Sequence, residues 1–401
     1  LGRSLEEVDL RGARSIEEVV QRVRAADKGQ AWLLGRGWDQ NLWPGQAMPT
    51  HQPLTEAFGE RPVWLRRVDG HAGWANAAAL RAAGIARGQA DPEGGEILRD
   101  ASGEPTGVLV DAAMGLVQPP ASTLADLRRQ LAAAQPHLLA RGLTGVHDMG
   151  VSPEVDALYR EAMEAEDPGQ RLRLRVVGYA DASWLPTLAQ PSERPSAERR
   201  YALVGVKLYA DGALGSRGAA LLEPYHDRPG HRGLLQQSDA DLLAQCELAT
   251  GRGLQLATHA IGDAANRAVL AAYATALAAR READARPRVE HAQIVDLADI
   301  PRFAEQGVIA SMQPTHATSD MAWVPYRLGP QRLAGAYAWR RFLDAGVPLA
   351  FGSDFPVEEV EPTFGLYAAI TRQDAAGQPS GGWLPDQRLT LDEAIAAFTR
   401  G

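Results

Sequence analysis

Four polar residues in the second half of this 401-residue chain close four short apolar runs, and together they constrain the fold more than any other feature. Lys207 lies in Val-Gly-Val-Lys-Leu-Tyr-Ala-Asp-Gly (204–212), His259 in Leu-Gln-Leu-Ala-Thr-His-Ala-Ile-Gly-Asp (254–263), His291 in Arg-Val-Glu-His-Ala-Gln (288–293) and Asp354 in Leu-Ala-Phe-Gly-Ser-Asp-Phe-Pro-Val (349–357). Helix-like stretches separate the runs, as in successive βα units. Period-two alternation places Lys207 with Tyr209 and Asp211, His259 with Ala257, His291 with Val289, and Asp354 with Gly352. In a (β/α)8 barrel the carboxyl ends of the strands converge on one site, so polar groups at those ends read as catalytic. The pattern points to a metal hydrolase.

With 45% hydrophobic residues the chain can bury a large core, either one elaborate barrel or two to three ordinary domains. A formal charge of −9 argues against nucleic acid as a partner, because no concentrated basic face is present to release phosphate counterions. The single cysteine, Cys246, cannot form an internal disulfide and sits in a helical pattern as a small buried hydrophobe. No run is long and apolar enough for a membrane span. The expectation is a cytoplasmic protein acting on a small-molecule substrate, with no membrane or nucleic-acid partner and with homo-oligomerisation left open.

Ser15 and Glu18 have the spacing of a helix-capping box, so a helix starts after Ser15. Residues 28–119 then break the barrel rhythm with short apolar segments, dense tryptophan (Trp32, Trp38, Trp43, Trp64, Trp74) and turns such as Pro92-Glu-Gly-Gly95. They read as a small mixed α/β insertion near the barrel mouth. From 120 to 401 the rhythm resumes, with strands at Gly145–Met149, Leu172–Tyr179 and Val308–Pro314 joining the four runs above. That makes seven strands, numbers two to eight of a TIM-type barrel. The first is expected just upstream of Leu1, with residues 1–27 as the barrel's continuation from it.

The chain resembles the amidohydrolase superfamily, and within it the branch that includes N-substituted formamide deformylases. The segments that carry the resemblance are Leu-Gly-Arg-Gly-Trp-Asp (34–39), Asp-Gly-His-Ala-Gly-Trp-Ala-Asn (69–76), Gly-Val-His-Asp-Met (145–149), Lys-Leu-Tyr-Ala-Asp-Gly-Ala-Leu-Gly-Ser-Arg (207–217), Thr-His-Ala-Ile-Gly-Asp (258–263), Val-Glu-His-Ala-Gln (289–293) and Gly-Ser-Asp-Phe-Pro-Val (352–357). The resemblance implies that Lys207 is carboxylated by carbon dioxide and bridges metals. It also implies a His-x-His pair on the first strand and a β-sandwich from both flanks. The sequence has neither, so the expectation is a barrel excised from a longer enzyme.

Each residue also has a plainer reading. Lys207 could be a strand-end lysine reaching solvent, although an inward lysine beside Tyr209 and Asp211 is costly without a partner. His259 and His291 could be satisfied core histidines; two on consecutive strands favour zinc ligands instead. Asp354 could cap a helix, but its register with the other three favours a catalytic role. His71, Tyr209, Arg217 and His316 are candidates for substrate contact, with His71 as readily a packing histidine. His147 and Asp211 are candidate supports behind the ligands. One or two divalent ions, zinc by preference, would supply a hydroxide at neutral pH while Asp354 shuttles the proton. Three classes stay open: hydrolysis of a non-peptide carbon–nitrogen bond as the leading reading, ester or lactone hydrolysis on the same site, and ligand binding without catalysis.

Overall fold

A computed structural model describes residues 1–400 apart from 189–190, 192–195, 197–198 and 279–284, so most of the polar stretch Gln190–Arg199 lies outside the described residues. The chain divides into two units, Leu1–Thr123 and Leu124–Gly401.

The first unit is built on a six-stranded sheet of β1 (Val8–Asp9), β2 (Leu33–Trp38), β3 (Val63–Arg67), β4 (Ala72–Ala75), β5 (Gly95–Arg99) and β6 (Pro105–Asp111), in the order β1-β2-β3-β4-β6-β5. The first three run parallel, and the rest pair antiparallel. The helix Ile16–Ala25 starts where Ser15 accepts a hydrogen bond from the Glu18 N–H, and it lays Val19 and Val23 into the same apolar core as Leu33, Leu65 and Val108. Glu18 does not close the box: its carboxylate accepts from the Arg14 N–H at 2.9 Å. Trp38, Trp43 and Trp74 form the centre of that core, with ring centroids 5.9 to 6.0 Å apart. Each indole N–H donates to a backbone carbonyl, which satisfies the polar edge that a buried tryptophan brings with it. Gly73 has no side chain because the Trp64 ring occupies that space, 2.0 Å from where a Cβ would stand.

Residues 1–27 differ from expectation here. The sequence pattern makes them a continuation of the barrel, yet β1 pairs with β2, and Leu10, Ala13, Val19 and Val23 bury their side chains in the tryptophan-centred core. The physical reason is that their apolar positions complete this sheet's face, whereas two residues of strand are too few to mark a sheet partner in the sequence.

The second unit holds seven parallel strands: β7 (Gly145–Val151), β8 (Arg175–Asp181), β9 (Tyr201–Tyr209), β10 (Gln255–Ala260), β11 (Arg288–His291), β12 (Ile309–Met312) and β13 (Leu349–Phe351). They lie in simple sequence order, with β7 and β13 as the end strands, and helices connect most of them. The sheet curls. Arg288 on β11 donates to His147 on β7 at 3.0 Å, although four strand spacings would hold them about 19 Å apart in a flat sheet. The result is an α/β fold with a curled parallel sheet. An eighth, closing strand is not among the described residues.

A register shift in β9 sets the site. Leu203 pairs with Gly178 and Gly205 with Tyr179, so β9 uses one more residue than β8 across this step. Such a bulge reverses the alternation. Ala202 and Val204 pack with Tyr179 and Ala257, yet beyond the bulge Lys207 and Tyr209 share that inner side. Gly205 makes room for the Tyr179 ring, which a Cβ would approach to 2.7 Å.

Candidate metal centre

His259 closes β10, with its ring buried. Its Nε2 lies 3.4 Å from the Gly212 carbonyl and 3.5 Å from Asp211 Oδ1, both acceptors. With the proton on Nε2, the lone pair sits on Nδ1. Asp211 is a support. Fully buried, it accepts from the N–H groups of Ile261 (2.9 Å), Gly262 (2.8 Å) and Ala220 (2.9 Å), which ties together the segments after β9 and β10.

His291 ends β11 with φ +77°, and Ala292 follows at +40°. Two successive left-handed residues end strict alternation. Thus Arg288 and Glu290 keep one side of the strand, while His291 stands with its ring 4.6 Å from that of His259 at a steep angle. Its Nδ1 lies 2.9 Å from Gln313 Oε1, which leaves Nε2 as the lone-pair nitrogen. Burial first, then the nearby Lys207 and His316, pushes the His291 pKa well below the usual histidine range, so the imidazole is neutral, as a metal ligand must be.

Lys207 is buried beside them, its Nζ 4.8 Å from the Tyr209 ring centroid. Burial lowers its pKa against the opposing pull of Glu290 and Asp354, and Arg288 lowers it further. Asp354 therefore acts on Lys207 electrostatically. It lies in an exposed turn at φ +53°, its carbonyl accepting from the Val357 N–H at 2.9 Å. No helix begins behind it; the next starts at Pro362. Among the described residues, no group of three or more His, Cys, Asp or Glu side chains could hold a metal ion, so Asp354 does not join the histidines in such a cluster. The His259 and His291 rings beside an amine whose charged form burial disfavours nonetheless make a donor set whose chemistry suits a divalent cation.

The remaining candidates divide. Tyr209 lies next to His259 at 5.7 Å between centroids, its phenol pushed up to about 12 chiefly by burial. His316 stacks on His291 at 5.9 Å. His147, on the end strand, accepts from Arg288; withdrawal from water and that cation lower its pKa to about 4. Arg217 is engaged elsewhere, ion-paired to Asp227 at 2.9 Å, a carboxylate it shares with Arg327. His71 belongs to the first unit, where its Nδ1 lies 2.6 Å from Asp111 Oδ1.

Sequence reasoning passed over Arg288 and Glu290. The buried Arg288 donates from Nε to Glu290 (2.7 Å), from Nη1 to His147 and from Nη2 to Ser311 (2.7 Å), and Glu290 in turn faces Lys207. Although burial opposes its charge, Arg288 and Lys207 hold the Glu290 carboxyl down at about 2. The signal was there: two opposite charges at i and i+2 of a strand share a face and need each other to be buried.

The sequence pattern of the amidohydrolase family matches residues 2–401. The Arabidopsis thaliana protein LONG AFTER FAR-RED 3 is 34% identical over 99% of this chain and 70% of its own length. The N-substituted formamide deformylase of Arthrobacter pascens is 31% identical over 95% of this chain and 71% of its own. The crystal structure of an uncharacterized metal-dependent hydrolase from Pyrococcus horikoshii superposes with a TM-score of 0.77 at 29% identity, covering all of this chain and 77% of that one.

Proposed function

The chain belongs to the amidohydrolase family, and we propose that it is a zinc-dependent hydrolase of a carbon–nitrogen bond in a small, non-peptide amide, of which an N-substituted formamide is the leading type. The observation that carries this reading is the buried His259–His291 pair beside Lys207, and the deformylase relative supports the bond type.

His259 through Nδ1 and His291 through Nε2 would hold the cation, with Lys207 completing the set after carboxylation. In that reaction the ammonium first loses a proton, the free amine attacks carbon dioxide, a nitrogen–carbon bond forms as one carbon–oxygen π bond opens, and a second proton leaves, so a buried cation becomes an anionic oxygen donor. The burial that disfavours the Lys207 ammonium also makes the free amine available. A divalent cation bound there supplies a nucleophilic hydroxide near neutral pH and polarises the scissile carbonyl. Asp354, in a turn open to solvent and within electrostatic reach of Lys207, accepts the proton of the attacking water and returns it to the departing nitrogen. That return is needed because an amide nitrogen leaves only once protonated. Asp211 fixes the His259 ring, and Gln313 that of His291, so each presents one nitrogen.

The test is hydrolysis by the full-length protein, metal-free and zinc-loaded, on matched N-substituted formamides, larger amides and esters. Cleavage of a formamide or amide that disappears with chelator and returns with zinc is expected. Turnover of esters alone, or turnover indifferent to chelation, would sink the proposal.

A further inference from the structure

Arg372 stands at the end of the helix Pro362–Thr371 at φ +55°, fully buried, and its guanidinium lies over two indole rings. Its carbon lies 4.3 Å from the Trp339 ring centroid and 5.3 Å from that of Trp383. Nε donates to the Trp383 carbonyl at 2.6 Å and Nη1 to the Tyr337 carbonyl at 3.0 Å. Nη2 finds no acceptor. Neither does the indole Nε1 of Trp339, which is fully buried as well.

Among the described residues no carboxylate pairs with this guanidinium, and the one ionisable group that acts on it is the Tyr337 phenol. The contrast with its peers is sharp: in the same unit Arg288 meets Glu290 and Arg327 meets Asp227. Burial brings Arg372 down to about 9, which still leaves it cationic at neutral pH. Stacking on tryptophan and two carbonyl bonds account for its position and for two of its three nitrogens. They do not neutralise the charge, and a buried charge without a counter-charge is strongly disfavoured.

Both orphan donors belong to one stack. The guanidinium nitrogen lies about 1.3 Å from its carbon, and a single acceptor about 3 Å from each donor can bridge donors up to about 6 Å apart. We propose that Arg372 and Trp339 form a buried site for a small monovalent inorganic anion of chloride size, with Arg372 Nη2 and Trp339 Nε1 as its hydrogen-bond donors. A water molecule could accept both bonds but would leave the cation unbalanced. A doubly charged oxyanion would overcompensate it and demand more donors than the two on offer. Occupancy would fix more than one loop, because the Tyr337 N–H donates to the Gln293 carbonyl at 2.8 Å, two residues beyond His291.

The probe is bromide, which substitutes for chloride and scatters anomalously. Crystals of the full-length protein grown in sodium bromide should show an anomalous peak within hydrogen-bonding distance of both nitrogens; a position filled only by water, or no density there, overturns the proposal. In solution, chloride should raise the melting temperature saturably relative to gluconate at equal ionic strength. Arg372→Met should abolish that difference. Trp339→Phe keeps the ring over the guanidinium and removes one donor, so if the first variant does not fold, the second decides: its chloride midpoint should rise roughly tenfold or more. An unchanged midpoint in Trp339→Phe, or equal stabilisation by both anions in the parent protein, would also overturn the site.

Discussion

The two units use the buried side of a sheet for different ends. In Leu1–Thr123 the core is apolar and aromatic, with three tryptophans whose N–H groups are all satisfied. In Leu124–Gly401 the inner side of the parallel sheet buries a lysine, two histidines, an arginine and a glutamate on neighbouring strands. Each of those groups costs stability that an apolar side chain would not, because desolvating a charge is offset only by good partners. The first unit buries a charge as well, Arg67, but balances it with Asp39 and Asp69, whereas the second gathers its buried charges beside two histidines. Substitutions in the second unit should therefore damage function first, and those in the first unit stability first.

The largest effect expected is from His291→Ala. Removing the nitrogen that Gln313 orients should cost metal content and hydrolysis together while the helical circular dichroism signal persists. Retention of stoichiometric metal with full turnover would return His291 to a core histidine and erase the contrast. Trp38→Ala in the first unit should do the reverse, lowering unfolding free energy by about 3–5 kcal/mol in denaturant melts, because it empties the centre of a close-packed aromatic core. A loss below ~1 kcal/mol would mean that this core is far less tightly packed than its ring contacts imply.

Asp354→Asn comes next. Turnover should fall at least ~10²-fold, typical of lost acid–base catalysis, while metal content stays level. The exposed turn predicts that stability will move little, because asparagine tolerates the left-handed φ of +53° about as well as aspartate does. Loss of metal in this variant would make Asp354 a ligand, and undiminished turnover would remove it from the reaction.

What was legible in the chain follows the same division. In the second unit the period-two runs, their spacing and the strand-end polar residues are all properties of local sequence, and the strands β7 to β13 lie where those runs stand. The inward placement of Lys207 was readable only because alternation was counted from Lys207 toward Asp211; counted from Ala202 it fails, because the bulge at 203–205 leaves no glycine-independent mark. His291 was legible as a residue but not as a geometry. Its left-handed φ, and that of Ala292, carry no sequence signal in side chains that rarely adopt it. In the first unit, the two-residue strand β1 gains its place from tertiary packing alone, which is why residues 1–27 were misplaced.

The smallest effect compares one helix cap from each unit. Ser15 accepts one hydrogen bond, from the Glu18 N–H at 3.2 Å, and Glu18 turns instead to Arg14 and Arg22. Thr390 makes the reciprocal arrangement: its hydroxyl accepts from the Glu393 N–H at 3.3 Å, and the Glu393 carboxylate accepts from the Thr390 N–H at 2.8 Å. Ser15→Ala and Thr390→Ala should each cost ~1 kcal/mol, with Thr390→Ala the larger because the threonine hydroxyl also donates to the carboxylate it helps to position. The second cap also carries a pH signature. Arg340, ion-paired to Glu393, holds that carboxyl down at about 2 against an ordinary 4.5, so its contribution is complete above about 4.5 and is lost as pH falls toward 2. The sign follows from the depressed folded pKa: below 4.5 the unfolded chain binds a proton that the folded chain refuses. Glu393 is partly open to solvent, so salt should shrink the effect. Melting curves between pH 5 and 2 in low and high salt, on the parent and on Glu393→Gln, read it directly. Identical slopes in the two proteins would show that the Arg340 pair contributes nothing and that the caps of the two units are equivalent.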